Sequence, residues 1–237
     1  IFPEQVDFFF DGRCKRYFKV MEKLEGQDLN DFIKTKPSME LIFEWIAEIL
    51  YTLEQMHSYG IVHTDLKPEN IFINIKKIDG KEKKIVRLID LEDVIFVKEE
   101  IYPINLVGTE LWLSPEHMCV QNNMEGWTIK DISTEADVFS ICAIIQYLIS
   151  RENVEYAKKK MPLLEYLREN ESFPSTFSLL KKYAPDLKHL EAYRNFCKKV
   201  DQGLELQPED RSSIKEIRNA LFQAKTVLPK SDLGSKD

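Results

Sequence analysis

Residues 61–74 read IVHTDLKPENIFIN, and the pattern of an apolar run delivering a carboxylate returns at Arg87-Leu88-Ile89-Asp90. In the first stretch an apolar run enters a polar loop where Asp65, Lys67 and Asn70 stand two and three residues apart. The residue types divide the labour of one reaction. Asp65 can orient or deprotonate a hydroxyl, Lys67 can neutralise a charged group in transit, and Asn70 with Asp90 can offer hard oxygen ligands to Mg²⁺. Moving a phosphoryl group asks for that set, because positioning and charge neutralisation do most of the catalytic work. The spacing implies a metal-assisted phosphoryl-transfer site.

With these residues on the page, the chain resembles the eukaryotic-type protein kinases. His63-Thr64-Asp65-Leu66-Lys67-Pro68-Glu69-Asn70 is similar to that family's catalytic loop, and Asp90-Leu91-Glu92 to its metal motif. Gly108-Thr109-Glu110-Leu111-Trp112-Leu113-Ser114-Pro115-Glu116 resembles the end of an activation segment. Asp137-Val138-Phe139-Ser140 resembles the start of the buried central helix, and Pro208-Glu209-Asp210-Arg211 the late arginine motif. Five motifs in the family's order are far more specific than any one alone.

The resemblance implies an α+β, protein-kinase-like fold: a mainly helical C-terminal lobe, preceded by a short N-terminal β-hairpin and carrying a small hairpin at the catalytic loop. Residues 1–22 would be a remnant of the small lobe, 23–28 a hinge, 29–228 the large lobe and 229–237 a polar tail. It also implies ATP and Mg²⁺ as cofactors. Met21 falls at the gatekeeper position, and Glu22 and Leu24 lie in a hinge whose backbone would bond an adenine. Asp28 falls at a ribose contact, Phe72 at the floor of the adenine pocket, and Glu69 completes the cofactor-binding set. Asp65, Lys67 and Asn70 would be catalytic, Asn70 and Asp90 would hold metal, and His63 would be structural. Asp137 would bond the catalytic-loop backbone, and Glu116 would pair with Arg211.

Departures from the family pattern are equally legible. Thr64 stands where an arginine usually pairs with a phosphorylated activation segment, and threonine offers no bidentate phosphate partner. Glu92 replaces a glycine, and two like charges about 4 Å apart repel by roughly 4 kcal/mol at an effective dielectric of 20. No glycine-rich loop or strand lysine occurs in the sequence, and the start at Ile1 suggests a fragment. The spelling HTDLKPEN is similar to the LAMMER kinases, although Gly108–Glu116 does not follow their pattern.

The 237 residues suffice for one large core or two modest ones, and 43% hydrophobic content is ordinary for a globular protein. With 33 basic against 40 acidic residues the chain carries −7, which argues against nucleic acid as a main ligand. Cys14, Cys119, Cys142 and Cys197 form no CxxC pair and read as reduced thiols of an intracellular, cytoplasmic protein. No apolar run approaches the ~18 residues of a membrane span, so no membrane partner is expected.

In chain order, alternating Val6, Phe8 and Phe10, a turn at Asp11-Gly12, and a strand over Tyr17–Met21 predict a hairpin. Helical spacing from Ser38 through Met56, closed by Gly60, predicts a helix that leads into His63. Ile71–Ile73 and Ile85–Ile89 read as strands around Asp79-Gly80, with the lysines between Lys76 and Lys84 at a solvated tip. Trp127 reads as the apolar anchor of a loop. Thr134–Ile149 predicts a buried helix, Leu163, Leu164 and Leu167 a short one, and Leu190–Val200 a longer one. Ser213 and Glu216 read as the capping box of the last helix.

The function expected is an ATP-dependent protein serine/threonine kinase acting on a protein substrate. The alternative is a pseudokinase serving a partner protein as a non-catalytic scaffold. A relative of aminoglycoside or lipid kinases fits less well, because those families do not usually carry the SPE-like segment and late arginine together.

Overall fold

Ser38 starts the helix on which the rest of the fold is assembled. Its hydroxyl accepts from the Leu41 amide, and helix α2 (Met39–Ser58) follows, with Ile42, Trp45, Ile46, Ile49, Leu50, Leu53 and Met56 buried along one face. Gly60 ends the run at φ +75°, a conformation costly for a residue with a Cβ. The computed structural model describes residues 3–13, 15–103, 106, 108–151, 173–187 and 189–226. Cys14, the short helix expected at Leu163, Leu164 and Leu167, and the tail from Pro229 lie outside the described residues.

Before α2 come a hairpin, β1 (Gln5–Asp11) and β2 (Arg16–Met21), a two-residue strand β3 (Gln27–Asp28), and a short helix α1 (Leu29–Lys34). The Asp11 carboxylate accepts from the Arg13 amide at 2.8 Å and so closes the hairpin turn. After α2, strand β4 (Ile61–Val62) leads into the polar loop, and β5 (Ile71–Ile78) and β6 (Lys81–Leu88) form a second hairpin. Strand β7 (Ile95–Phe96) returns to pair with β4, so the polar loop is framed on both sides by paired backbone. The three sheets among the described residues are small and antiparallel: β1-β2, β3-β5-β6 and β4-β7.

Helices then dominate. α3 (Pro115–Gln121) is capped by Ser114, and α4 (Thr134–Ser150) is buried from Ala136 to Ser150 on every face, as a helix at the centre of a lobe must be. Around it stand α5 (Thr176–Tyr183), α6 (Arg194–Gln202) and α7 (Ile214–Thr226). One apolar cluster runs through α2, α4, α5, α6 and α7, with Phe43 stacked on Tyr193 at 4.4 Å and edge-on to Phe196 at 5.8 Å. Ser213 and Glu216 make the reciprocal capping bonds expected at the start of α7.

Several details differ from the sequence reading. β5 and β6 run on to Ile78 and from Lys81, so the strands are longer than Ile71–Ile73 and Ile85–Ile89, and the exposed lysines of the hairpin tip lie in a paired ladder that closes at Asp79-Gly80. A β-ladder is made by backbone groups, and exposed lysines do not prevent it. Trp127 is 37% exposed and is not a buried anchor. The elements α1, β3, β4 and β7 are too short to show a period. Cys142 of α4 is fully buried, and the room for its sulfur comes from a neighbouring element. A Cβ on Gly203 would stand 2.3 Å from the Cys142 sulfur, so the glycine after α6 supplies the missing space.

Candidate active site

The loop after β4 is held from below by Asp137 in the first turn of α4. Its carboxylate accepts from the amides of His63 (2.8 Å) and Thr64 (3.1 Å), and His57 of α2 meets it at 3.0 Å. Burial pushes the Asp137 carboxyl up, but the His57 imidazole and the His63 amide outweigh it and hold the group below its usual range. His63 is itself buried, and its Nε2 meets the Ile89 carbonyl at 3.0 Å, as befits a packing residue. The Ile89 amide in turn donates to the Asn70 carbonyl. Loop and strand β6 are thereby locked together.

Asp65 stands above this base as the acceptor in four hydrogen bonds. Thr109 donates to Oδ1 through its amide (2.9 Å) and its hydroxyl (3.1 Å), while Lys67 Nζ (2.5 Å) and Asn70 Nδ2 (3.1 Å) donate to Oδ2. Lys67 also donates to the Thr109 hydroxyl at 3.1 Å, and Asn70 Nδ2 to the Asp65 carbonyl at 2.9 Å. Four side chains therefore form one cluster of fixed orientation, the kind of preorganisation that positions a reacting hydroxyl. Gly108 permits it. A Cβ there would lie 2.4 Å from Leu113 and 3.4 Å from the Thr64 carbonyl, pushing Thr109 off Asp65.

Thr109 is a member of this cluster that the sequence motifs do not single out. Nothing local signals that it returns to Asp65 across 44 residues. His57 was missed for the same reason. A further unanticipated group is His117 of α3, buried with Nε2 unpartnered among the described residues and its pKa lowered to about 4 by burial, against the opposing pull of Asp137, Glu116 and Asp65.

Asn70 uses Nδ2 for both contacts with Asp65, and among the described residues its Oδ1 has no hydrogen-bond partner. Asp90 is exposed at the end of β6 with φ 62°, and makes no hydrogen bond to the Asp65 cluster. Its charge is nevertheless felt nearby. The Asp93 carboxyl is pushed up by burial first, then by Asp90, Glu92 and Asp65. Such an accumulation of negative charge suits a divalent cation. No three His, Cys, Asp or Glu side chains among the described residues are disposed to hold one. The donor set fits Mg²⁺, which needs few protein ligands because it keeps waters and substrate phosphates. Glu92 adopts no left-handed backbone; the positive φ values fall on Thr64 and Asp90 instead.

The residues expected around a nucleotide base lie on β2, the segment after it, β3, the turn before β5 and β5 itself. Met21 is 42% exposed, and the Glu22 amide donates to the Glu4 carbonyl at 2.9 Å. Leu24 is half-buried. Asp28 caps α1 through the Asp31 amide, and it pairs across β3 and β5 with the half-buried Phe72. Glu69 lies in the turn before β5, which packs against β3 and its Asp28. With Asn30, Lys67, Thr109, Trp112 and Tyr147 it lines a cavity of about 520 Å³ that none of the other five residues borders.

A model of the protein kinase domain matches residues 6–222. The chain belongs to the protein kinase domain family. Relatives of this kinase domain include a putative serine/threonine-protein kinase of Acanthamoeba polyphaga mimivirus, 24% identical over 85% of this chain and 62% of its own length. Serine/threonine-protein kinase PAK 4 of Homo sapiens is 26% identical over 90% of this chain, which spans 32% of that protein. Mitogen-activated protein kinase kinase kinase 8 of Rattus norvegicus is 24% identical over 90% of the chain and 44% of its own length. The kinase domain is thus matched over most of itself, and spans less than two thirds of each of these proteins. A crystal structure of Rad53 in complex with AMP-PNP shares the fold, with a TM-score of 0.62 at 20% identity over 92% of this chain and 49% of that one. No helix among the described residues is long and apolar enough to cross a membrane.

Proposed function

We propose that this kinase domain serves an ATP- and Mg²⁺-dependent protein kinase that phosphorylates serine or threonine. The reading is carried by the fourfold-bonded Asp65, whose carboxylate is aimed by Lys67, Asn70 and Thr109. Asp65 orients the substrate hydroxyl and takes up its proton as the new ester forms. Lys67 stands beside it to neutralise the transferring group, and Asn70 with Asp90 would hold the metal. Bound Mg²⁺-ATP would supply the phosphoryl group and most of the charge compensation. The names of the relatives support the serine/threonine class, as does Lys67 within the loop.

A second reading, a scaffold that binds partners without transfer, is favoured by one observation: Asp90 is exposed and makes no hydrogen bond to the cluster, and Glu92 adds a further carboxylate two residues on. Full-length protein given Mg²⁺-ATP separates the two. Under the kinase reading, nucleotide at about a hundred times its dissociation constant adds ~2.7 kcal/mol of stability. Phosphate then appears on serine and threonine of a mixed peptide substrate, and Asp90→Asn abolishes the transfer. If wild-type protein shows neither stabilisation nor transfer, the scaffold reading stands.

A further inference from the structure

The far end of the β5–β6 hairpin carries a one-sided charge. Its register pairs Phe72 with Arg87, Asn74 with Ile85, Lys76 with Lys83 and Ile78 with Lys81, alternating with Ile71 and Leu88, Ile73 and Val86, Ile75 and Lys84, Lys77 and Glu82. Residues paired directly across two strands share a face, and successive pairs alternate faces. The second set faces the core: Ile71, Ile73, Val86 and Leu88 are buried, and Lys84 binds Glu44 of α2 at 2.7 Å and lies over the Trp45 ring. The first set places Lys76, Lys81, Lys83 and Arg87 on the opposite face, with no acidic residue of either strand among them.

This arrangement costs the hairpin stability, since like charges directly opposite repel. Lys76 and Lys83 are such a pair. Counter-charge within the described chain is slight: Glu25 approaches Lys76 at 3.9 Å with both side chains well exposed, and Lys81 and Lys83 have no ion-pair partner among the described residues. The concentration is local, on a chain whose net charge is −7. Ile78, 44% exposed, adds an apolar contact on the same face. Among the described residues β6 is also the last strand of its sheet, with no strand on its outer side.

We propose that the outer edge of β6 and this cationic face dock an extended acidic segment of a partner protein, which adds to the sheet as a further strand. An extended peptide presents alternate side chains to one side about every 6.8 Å. Lys81, Lys83 and Arg87 recur in the same phase along β6, so acidic residues at alternate positions of the guest meet a cation or Ile85 in turn. Edge lysines discourage pairing between identical copies, and the same lysines select an acidic guest. Nucleic acid and anionic membrane are the weaker occupants. The chain as a whole is acidic, and the tip from Ile75 to Lys84 has no aromatic residue to seat at a lipid interface.

The test uses full-length protein and a fluorescein-labelled short peptide alternating Glu with Val, read by fluorescence anisotropy. The proposal expects binding that weakens as salt rises and that falls at least about tenfold in the Lys81→Glu, Lys83→Glu double variant, whose melting temperature is no lower than that of the wild type. A peptide alternating Lys with Val should not bind, and N-methylation of alternate amides of the acidic peptide should weaken it by a similar factor. Equal binding of acidic and basic peptides, unchanged affinity of the double variant, or indifference to N-methylation overturns strand addition. So does tighter, lysine-dependent binding of poly(U) RNA or of phosphatidylserine vesicles. Because these readouts do not involve nucleotide, they are separate from the question of phosphoryl transfer.

Discussion

Arg211 and Glu116, 95 residues apart, meet through two parallel hydrogen bonds of 2.6 and 2.7 Å with both side chains wholly buried. The remaining donors are also used. Nε donates to the Glu205 carbonyl, and the terminal nitrogens reach those of Glu135 and Leu206. Glu116→Ala leaves this guanidinium buried without its counter-charge, and urea denaturation should show a loss of about 3–5 kcal/mol. Arg211→Met combined with Glu116→Leu should lose less than Glu116→Ala alone, because neither partner is then stranded.

Thr109 offers a test of the role proposed for the Asp65 cluster that leaves the charged residues in place. Thr109→Val removes the hydroxyl that joins Asp65 to Lys67, while Thr109→Ser keeps it. If the chain transfers phosphate, steady-state kinetics should show kcat lowered about ten- to a hundredfold in the valine variant, with KM for ATP little changed and the serine variant close to wild type. A valine variant as fast as wild type would remove Thr109 from the catalytic arrangement.

His117 makes stability depend on acid. Its pKa falls from 6.5 to about 4 in the folded chain, so the unfolded chain binds the extra proton between those values. Its contribution is therefore fully present above pH 6.5 and lost progressively as pH drops toward about 4, amounting to roughly 3 kcal/mol over the window. Urea midpoints measured at several pH values should flatten in that window for His117→Leu. At pH 7 that variant should lose little, since it removes a buried nitrogen with no partner.

Gly203 and Cys142 should prove coupled. Gly203→Ala drives a methyl group into the Cys142 sulfur and should cost about 1–3 kcal/mol. Adding Cys142→Ala should recover part of the loss rather than deepen it, a departure from additivity that a double-mutant cycle in denaturant measures.

What the sequence announced is the part governed by local rules. The α2 stripe from Ile42 to Met56, the Ser38 and Ser213 caps, the Asp11 and Asp79 turns and the central burial of α4 all follow from period or capping chemistry. The Asp65–Lys67–Asn70 spacing was equally plain, because all three residues lie on one loop. The pairings of Glu116 with Arg211 and of Asp137 with the loop backbone came through the family resemblance rather than through any local pattern. Thr109 and His57 were hidden because their partners lie 44 and 80 residues away, and a threonine or histidine in isolation has too many ordinary uses. The length of β5 and β6 was underestimated because lysines conceal a ladder whose bonds are made entirely by backbone.

The segment from Asp90 to Glu116 is sewn down at separate points along its length. The Thr64 hydroxyl holds the Asp93 carbonyl near one end, Asp65 and Lys67 hold Thr109 further on, and Arg211 holds Glu116 at the other. A single protease cut between Val97 and Tyr102 would leave stitches on both sides of the nick. The two fragments should remain together through gel filtration and part only in denaturant.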